Sequence, residues 1–598
     1  MKKLIILFLF ITQCLTTFSQ TEDSVMLRQT NGITVTTSSN YQPNGWTMSA
    51  SGDKTIDQSG LEGKLDEASR FLIQATFGGN LQTIHEVANM GIEPCIDEQM
   101  EMEPSLIYPL IQPTYDEYKE DFIAGGGDPE QFPWRPWRDI YSFAWWENNM
   151  RANDVLRQRI AFALGEILVI SVQSDLGEFG DGVASYYDIF NRNAFGNYKD
   201  ILQEVTLHPS MGYYLSHLDN PKANPELNTH PDENYAREVM QLFSIGLYEL
   251  NEDGSRKTDA NGNFIPTYQN SDIKEFAKVF TGLGIGAVVE NEWVDEPDFG
   301  YGIWIADMNV PMKMYQEYHE TSEKHLLNGF VIPAGQNGTT DIEQTIDHLF
   351  NHPNVGPFIG RKLIQLLVKS NPTPEYIAAV TAAFNDNGSG VRGDMKAVIK
   401  AILLHPEARE CSWMNDPVQG KLLEPFIRYT QFTHGIGTTS PSGKYWNHGY
   451  YTYENLKQYP MASPSVFNFF LPDFQPNGPI ADAGLFAPEF QIHNSQTSIG
   501  YVNMNDIWAI DEFNFWSWED PPKHVYTDYS WLVEDAQDTE VLINKLDLIL
   551  THGTLSDETR AIIKQVIEPY QGGIIQRMNR IHLAAYLIMI SPDYVILK

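Results

Sequence analysis

The sequence has few cysteines, few basic residues and no long apolar segment after its N-terminus. Three cysteines in 598 residues are too few for a disulfide framework, and whether Cys95 and Cys411 pair stays open. With 40 Lys and Arg against 78 Asp and Glu, the net charge is −38, so we expect no nucleic-acid partner. We also expect no transmembrane segment, because the mature part lacks the ~20 consecutive apolar residues that a spanning helix requires.

Several motifs with a defined chemistry are absent as well. The chain contains no Gly-x-Ser-x-Gly nucleophile elbow, no Gly-x-x-x-x-Gly-Lys-Ser/Thr phosphate loop and no Cys-x-x-Cys-His haem motif. The histidines near residue 320 do not have the His-Glu-x-x-His spacing of zinc proteases. The sequence therefore supports no particular cofactor, and any metal stays unassigned.

The N-terminus has the features of an export signal. Lys2 and Lys3 precede an apolar run over residues 4–11, and Ser19 is a small residue at the expected cleavage point. We therefore predict a signal peptide at residues 1–20 and a protein that is exported to the periplasm, the cell surface or the medium.

The composition changes twice along the chain. Residues 21–60 are rich in Ser, Thr, Asn and Gly, which predicts a flexible N-terminal lead. Apolar residues make up 42% of the chain, so the remainder can bury a large core. We predict one large helical region over residues 61–598, with 61–290 and 336–598 as its potential sub-units.

Helical periodicity dominates this region. Apolar residues recur every three or four positions over 155–172, 232–250 and much of 341–406. Residues 103–137 are rich in Pro, Gly and aromatics and predict a long surface loop, and two Gly-containing turns between 251 and 263 predict a small hairpin. The expected fold class is mainly α, a multi-helix globular fold with long irregular loops and a small β-hairpin.

The first group of candidate site residues lies on the helix predicted to begin near residue 232. Glu233 and Arg237 are four residues apart and share a helix face, and Glu238 follows directly. These carboxylates are candidates for acid–base chemistry, with Arg237 orienting one of them or binding an anion. An ordinary stabilising ion pair explains Glu233 and Arg237 equally well.

The second group is His319, Glu320 and Lys324. The histidine could serve as a base or a ligand, the glutamate could orient it, and the lysine could attract an anion. Glu320 and Lys324 are four residues apart, so a surface ion pair is the alternative.

Several segments carry a family resemblance, the most specific of them being PDENYAREVMQLFSIG at residues 231–246. The other matching segments are 70–78, 157–170, 194–202, 205–212, 319–329 and 349–359. On these segments the chain resembles the domain of unknown function 1800 family, a set of large exported bacterial proteins. In many members a Glu and a His stand where this chain has Gln241 and Phe243, which argues against a metal site on this helix.

The resemblance implies no particular activity, and two functions stay open. In the first, the protein is a binding or assembly protein of the cell envelope or the exterior. The resemblance implies a partner for it, a second exported protein of the alkaline-phosphatase or sulfatase type. In the second, it is a secreted hydrolase of envelope or extracellular glycans, with the 232–238 helix facing the 319–324 segment across a cleft.

Overall fold

The structure is a computed structural model that describes residues 62–290, 294–410, 419–446, 448, 452–509 and 523–598. The predicted signal peptide, the N-terminal lead and Cys411 lie outside the described residues. Cys95 is half-buried, and burial raises the pKa of its thiol to about 11.

Within these residues the fold is mainly α, which confirms the predicted fold class. The first eleven α-helices, α1 to α11, are Glu62–Ala75, Leu81–Met90, Ile92–Glu101, Tyr108–Ala124, Arg138–Arg151, Val155–Ile167, Gly180–Asn193, Tyr198–Leu207, Pro209–Tyr214, Asn234–Gln241 and Asn270–Val279. The next thirteen, α12 to α24, are Gly338–Phe350, Val355–Leu367, Pro374–Asn385, Met395–Leu403, Pro406–Arg409, Pro425–Phe432, Thr452–Leu456, Pro479–Asp482, Ser495–Ala509, Thr539–Leu546, Asp557–Ile567, Ile574–Met589 and Pro592–Val595.

The strands are two residues long and form antiparallel pairs. In the part of the chain that is described, β1 (Leu283–Gly284) pairs with β2 (Lys313–Met314), β3 (Lys324–His325) with β4 (Val331–Ile332), β5 (Lys421–Leu422) with β8 (Ile596–Leu597), and β6 (Thr438–Thr439) with β7 (Tyr526–Thr527). The pairing of β5 with β8 attaches the C-terminus to the middle of the chain. No helix among the described residues is both long and apolar enough to cross a membrane.

Helix α6 lies at the centre of the fold. Its residues from Leu156 to Ile167 are all buried, and it packs against α3, α7 and α13. Because the helix is buried on every side, apolar residues cover most of its surface and not just one stripe. It also carries Arg159 and Glu166, two largely buried charged side chains that must be neutralised or paired inside the protein.

The predicted hairpin forms a short meander beside α13. Isolated bridges join Tyr248 to Pro266, Leu250 to Arg256 and Thr258 to Phe264. Gly254 and Gly262 occupy the two turns with positive φ, which a glycine adopts at little cost. Leu250 N–H donates to Oδ1 of Asn354, which fixes the meander against the start of α13.

Two predictions of local structure were wrong. The loop predicted at 103–137 contains α4, whose Pro109 lies in the first helical turn and whose Pro113 is tolerated inside the helix. The helix predicted over 232–250 ends at Gln241. The chain then turns at Gly246, whose φ is +70°, and enters the meander.

The buried apolar side chains form one continuous cluster that includes Leu65 near the first helix and Leu597 in β8. Trp145 and Trp146 of the aromatic segment after residue 131 belong to this core, whereas Trp134 is exposed. Most aromatic side chains of that segment therefore pack in the core.

Candidate functional site

The structure gives the first group of predicted site residues two different environments. Glu233 and Arg237 form a surface ion pair, with 3.6 Å between carboxylate and guanidinium, and both side chains are more than a third exposed. Glu238 points inward and is buried. Burial raises the pKa of Glu238, although the charges of Arg237 and Lys362 act in the opposite direction.

The second group contains a buried ion cluster. Nε2 of His319 lies 3.0 Å from Oδ2 of Asp341, and Nζ of Lys324 lies 2.6 Å from the same oxygen. All three side chains are essentially inaccessible to solvent. Nδ1 of His319 lies 2.8 Å from the Thr281 carbonyl oxygen, so both ring nitrogens have partners.

Glu320 does not join this ion cluster through its carboxylate. Its backbone carbonyl accepts a hydrogen bond from Nζ of Lys324 at 2.5 Å, and its Oε1 accepts one from Ser322 N–H at 2.9 Å. Burial would raise the pKa of Glu320, but the Ser322 N–H and the charge of Lys324 outweigh it and hold the pKa below its usual range.

The two groups therefore do not share a cleft. The ion pair of the first group faces solvent, and His319 and Lys324 are enclosed with Asp341 at the start of α12. The buried cluster around Asp341 holds the 319–324 segment against α12.

A cavity of about 360 Å³ opens elsewhere in the fold, and Lys362 is one of its lining residues. It lies between the end of α10, the meander, α13 and the loop after Ser463, and α6 closes its inner end. Its apolar walls consist of Leu247, Tyr248, Leu250, Pro357, Phe358, Leu366, Val466, Phe467, Phe470, Leu471 and Pro472. Gln241, at the C-terminal end of the helix singled out from the sequence, also lines it.

Three basic side chains line the outer part of this cavity. Arg361 and Arg256 stack on aromatic rings, with 4.9 Å from each guanidinium to the centroids of Phe486 and Tyr248 respectively. Neither guanidinium donates a hydrogen bond to any described residue. Nζ of Lys362 donates to the Leu242 carbonyl oxygen at 2.9 Å.

Burial lowers the pKa of two of these bases. It lowers the pKa of Lys362 to about 7, although Asp473 and Glu238 act in the opposite direction. It also lowers the pKa of Arg361, again opposed by Asp473. A negative group of a ligand would restore the charge of Lys362 and would supply acceptors to Arg361.

The inner end of the cavity is acidic. Glu166 at the end of α6 and Glu489 both line it, and Glu424 lies directly behind Glu166. Nε2 of Gln458 donates to Oε1 of Glu166 at 3.2 Å and to Oε2 of Glu424 at 2.6 Å, so one amide bridges two carboxyl groups.

Lys421 partly neutralises this end. It is ion-paired with Glu489, lies 3.5 Å from Glu424, and donates to the Gln365 carbonyl oxygen at 2.9 Å. Burial raises the pKa of Glu166 well above its usual range, and the carboxylate of Glu424 adds to the shift. We call Glu166, Glu424, Glu489 and Lys421 the inner charge cluster.

The described residues include no group of three or more His, Cys, Asp or Glu side chains that could hold a metal ion. No cofactor is assigned to the cavity.

Four cavity residues were not among the candidates predicted from the sequence: Glu166, Glu489, Arg361 and Lys362. A signal for three of them was present, because Glu166 interrupts the apolar run ALGEILVI and the Arg361–Lys362 pair interrupts the apolar run of α13. A charge inside an apolar helix must be paired or must face a cavity. Glu489 lies in an irregular segment, where no periodicity marks it.

A family model described as Protein of unknown function (DUF1800) matches residues 70–596. The match covers most of the chain, so the chain belongs to this family and the expected kinship is confirmed. No curated protein and no solved structure matches the chain. The family description carries no activity, and the function has to be argued from the cavity.

Proposed function

We propose that this protein is an exported binding protein whose cavity holds a small organic anion with an apolar body. The observation that carries the proposal is the half-buried guanidinium of Arg361, which faces an apolar cavity and has no acceptor among the described residues. A guanidinium in such a position gains a charge-assisted hydrogen bond when a carboxylate enters.

The size and lining of the cavity agree with this proposal. Its volume of about 360 Å³ lies within the usual range for small-molecule sites, roughly 300–1,000 Å³. The aromatic and aliphatic walls would bury the apolar body of a ligand. In a chain with net charge −38, the outer part of the cavity carries three basic side chains, Arg256, Arg361 and Lys362, beside the carboxylate of Asp473, and this local excess of basic groups favours an anion there.

Replacing Arg361 by glutamine is expected to weaken carboxylate binding by about 10- to 100-fold, the value of a charged hydrogen bond. The measurement is the Kd of caproate and caprylate for the mature protein by isothermal titration calorimetry. Arg192→Gln is the matched control, because Arg192 forms an exposed ion pair with Glu204 and does not line the cavity. Equal affinities in both variants, or no carboxylate binding to the parent protein, would contradict the proposal.

Export and a partner complete the proposal and are supported by the N-terminal sequence and by the family resemblance. We expect the mature protein in the native bacterium to lack residues 1–20 and to fractionate outside the cytoplasm, as judged by N-terminal mass spectrometry. Crosslinking in whole cells should capture an exported protein of the alkaline-phosphatase or sulfatase type. A full-length cytoplasmic protein would contradict the export part.

The alternative, a secreted hydrolase of glycans, gains no support at the residues first considered for it. Glu233 and Arg237 face solvent, and His319 is enclosed with Asp341. A shared substrate cleft between the 232–238 helix and the 319–324 segment is therefore not part of our proposal.

A further inference from the structure

Lys362 differs from the other lysines that the fold encloses. Among the described residues three lysines are fully buried, and each forms an ion pair with a carboxylate. The pairs are Lys324 with Asp341, Lys369 with Glu407, and Lys421 with Glu489 in the inner charge cluster. Nζ of Lys362 forms no ion pair with a described carboxylate and donates to the neutral carbonyl oxygen of Leu242.

The amine of Lys362 lies at the wall of the cavity. Nζ is 2.9 Å from the carbonyl oxygen of Leu242 and 4.4 Å from the ring centroid of Phe358, and both of these residues line the cavity. Lys362 lines it as well, and its side chain is half-buried and not sealed in the core. A small molecule in the cavity can therefore reach the amine.

This environment favours an uncharged amine. Glu238 on α10 and Asp473 in the loop after Ser463 favour the charged form, but burial outweighs them and lowers the pKa of Lys362 to about 7. At about pH 7 roughly half of the molecules then carry a neutral amine, against on the order of one in a thousand for an ordinary lysine. A desolvated neutral lysine in an apolar pocket is a nucleophile for carbonyl carbons.

We propose that the ligand is an oxo acid, whose carboxylate binds Arg361 and whose aldehyde or ketone carbon forms a reversible imine with Nζ of Lys362. This inference rests on the proposed function and specifies it, because it adds a carbonyl group to the anion. Arg361 and Lys362 are adjacent on α13 and line the same cavity, so one small molecule can engage both.

The reaction at Lys362 needs no further reagent. The lone pair of the neutral amine attacks the carbonyl carbon, a carbon–nitrogen bond forms, and the electrons of the carbonyl double bond move to its oxygen. This oxygen takes up the two amine hydrogens and leaves as water, while nitrogen forms a double bond to carbon. When the imine takes up a proton, Glu238, Asp473 and the carboxylate of the ligand favour its positive charge.

The test traps the imine on the full mature protein. The probe is 6-oxohexanoate, which is caproate with a terminal aldehyde, and sodium cyanoborohydride reduces the imine to a stable secondary amine. The modified lysine gains the mass of the probe less one oxygen, which peptide mapping by mass spectrometry locates. At about pH 7 we expect Lys362 to be modified about 10- to 100-fold faster than Lys274, which is exposed on α11 outside the cavity.

Two comparisons show whether the cavity directs this reaction. Hexanal has the same carbon chain without the carboxylate, so it should modify Lys362 at least about 10-fold more slowly than 6-oxohexanoate does. Excess caproate should slow the modification of Lys362 and leave that of Lys274 unchanged. Equal rates with hexanal and 6-oxohexanoate would overturn the assignment of an oxo acid.

The proposed function and the imine can fail separately. If caproate binds in the calorimeter but Lys362 reacts no faster than Lys274, the imine is ruled out and the proposed function stands. If caproate does not bind and Lys362 shows no preference, both fail.

A variant separates the imine from an ordinary polar contact. By calorimetry without the reductant, 6-oxohexanoate should bind the parent protein about 10-fold more tightly than caproate. Lys362→Arg keeps a positive charge but cannot form an imine, so the ratio of the two Kd values should approach one, whereas Lys274→Arg should keep it. A ratio that survives in Lys362→Arg would overturn the proposal. If Lys362→Arg does not fold, the trapping experiment on the parent protein decides.

Discussion

Replacing Asp341 by asparagine is expected to lower the free energy of unfolding by about 3–5 kcal/mol, the usual cost of breaking a buried ion pair. The carboxylate of Asp341 accepts hydrogen bonds from His319, Lys324 and Gln336. Without this negative charge, the ammonium of Lys324 would stay buried with neutral acceptors, such as the carbonyl oxygens of Glu320 and Ser322, and without a counter-charge.

The loss of stability caused by Asp341→Asn should become smaller at acidic pH. Burial would raise the pKa of Asp341, but the hydrogen bonds from His319 and Lys324 outweigh it, and the pKa lies below its usual value. A carboxyl group with a lowered pKa stabilises the fold above the pKa of the unfolded chain, about 3.9. This contribution disappears as the pH falls through the lowered pKa of the folded state. The difference between parent and variant should therefore be complete at neutral pH and should shrink below about pH 4.

Equilibrium urea denaturation of the mature protein measures the effect. Asp347→Asn is the matched control, because Asp347 lies on the same helix, α12, and forms an exposed ion pair with Lys199. Its expected cost is below about 1 kcal/mol. A cost for Asp341→Asn as small as that of the control would show that the buried cluster does not hold the 319–324 segment in place.

Replacing Lys421 by methionine is expected to lower the free energy of unfolding by a similar amount, about 3–5 kcal/mol at neutral pH. Nζ of Lys421 contacts Glu489 and the Gln365 carbonyl oxygen and lies 3.5 Å from Glu424. All three charged side chains are essentially buried. Methionine fills a similar space but removes the cation that is ion-paired with Glu489.

The loss of stability caused by Lys421→Met should grow as the pH rises. Burial raises the pKa of Glu489 even in the parent protein, and Lys421 acts against that rise. Removing the lysine raises the pKa further, and a carboxyl group with a raised pKa destabilises the fold as the pH rises above the unfolded value of about 4.3. The deficit should therefore be larger at about pH 8 than at about pH 5.

The same denaturation experiment at the two pH values tests this expectation. Lys396→Met provides the control, because Lys396 pairs with Glu101 at the surface and its loss should cost less than about 1 kcal/mol at either pH. A deficit for Lys421→Met that does not change with pH would mean that Glu489 does not titrate in this range.

Local pattern predicted the helices well where the apolar repeat is strong. Helix α6 begins at Val155, where the predicted helical segment begins, and α13 and α14 lie within the 341–406 segment predicted to be largely helical. Each buries an apolar stripe that is visible in the sequence. The prediction failed at α4, where prolines suggested a loop but lie in the first turns of a helix. It also failed after Gln241, where the helical pattern continues but the chain turns at Gly246.

The candidate site was harder to predict, because ion pairs look alike in sequence. Glu233 with Arg237 and Glu320 with Lys324 have the same spacing of four residues. In the structure the first pair is exposed, whereas Lys324 is buried against Asp341, which is 17 residues away. No local pattern distinguishes the two cases, since desolvation depends on what packs over each side chain.

By itself, the sequence determined the family, through the segments that resemble it, and also the acidic charge and the mainly α class, which composition and short-range periodicity carry. The export signal stays a prediction. Only the tertiary structure decided which polar residues meet. One cavity is lined by Glu166 on α6, Arg361 on α13 and Glu489, although these residues are far apart in the chain. Their burial arises from the packing of α6, α13 and the loops around them, which local sequence patterns do not encode.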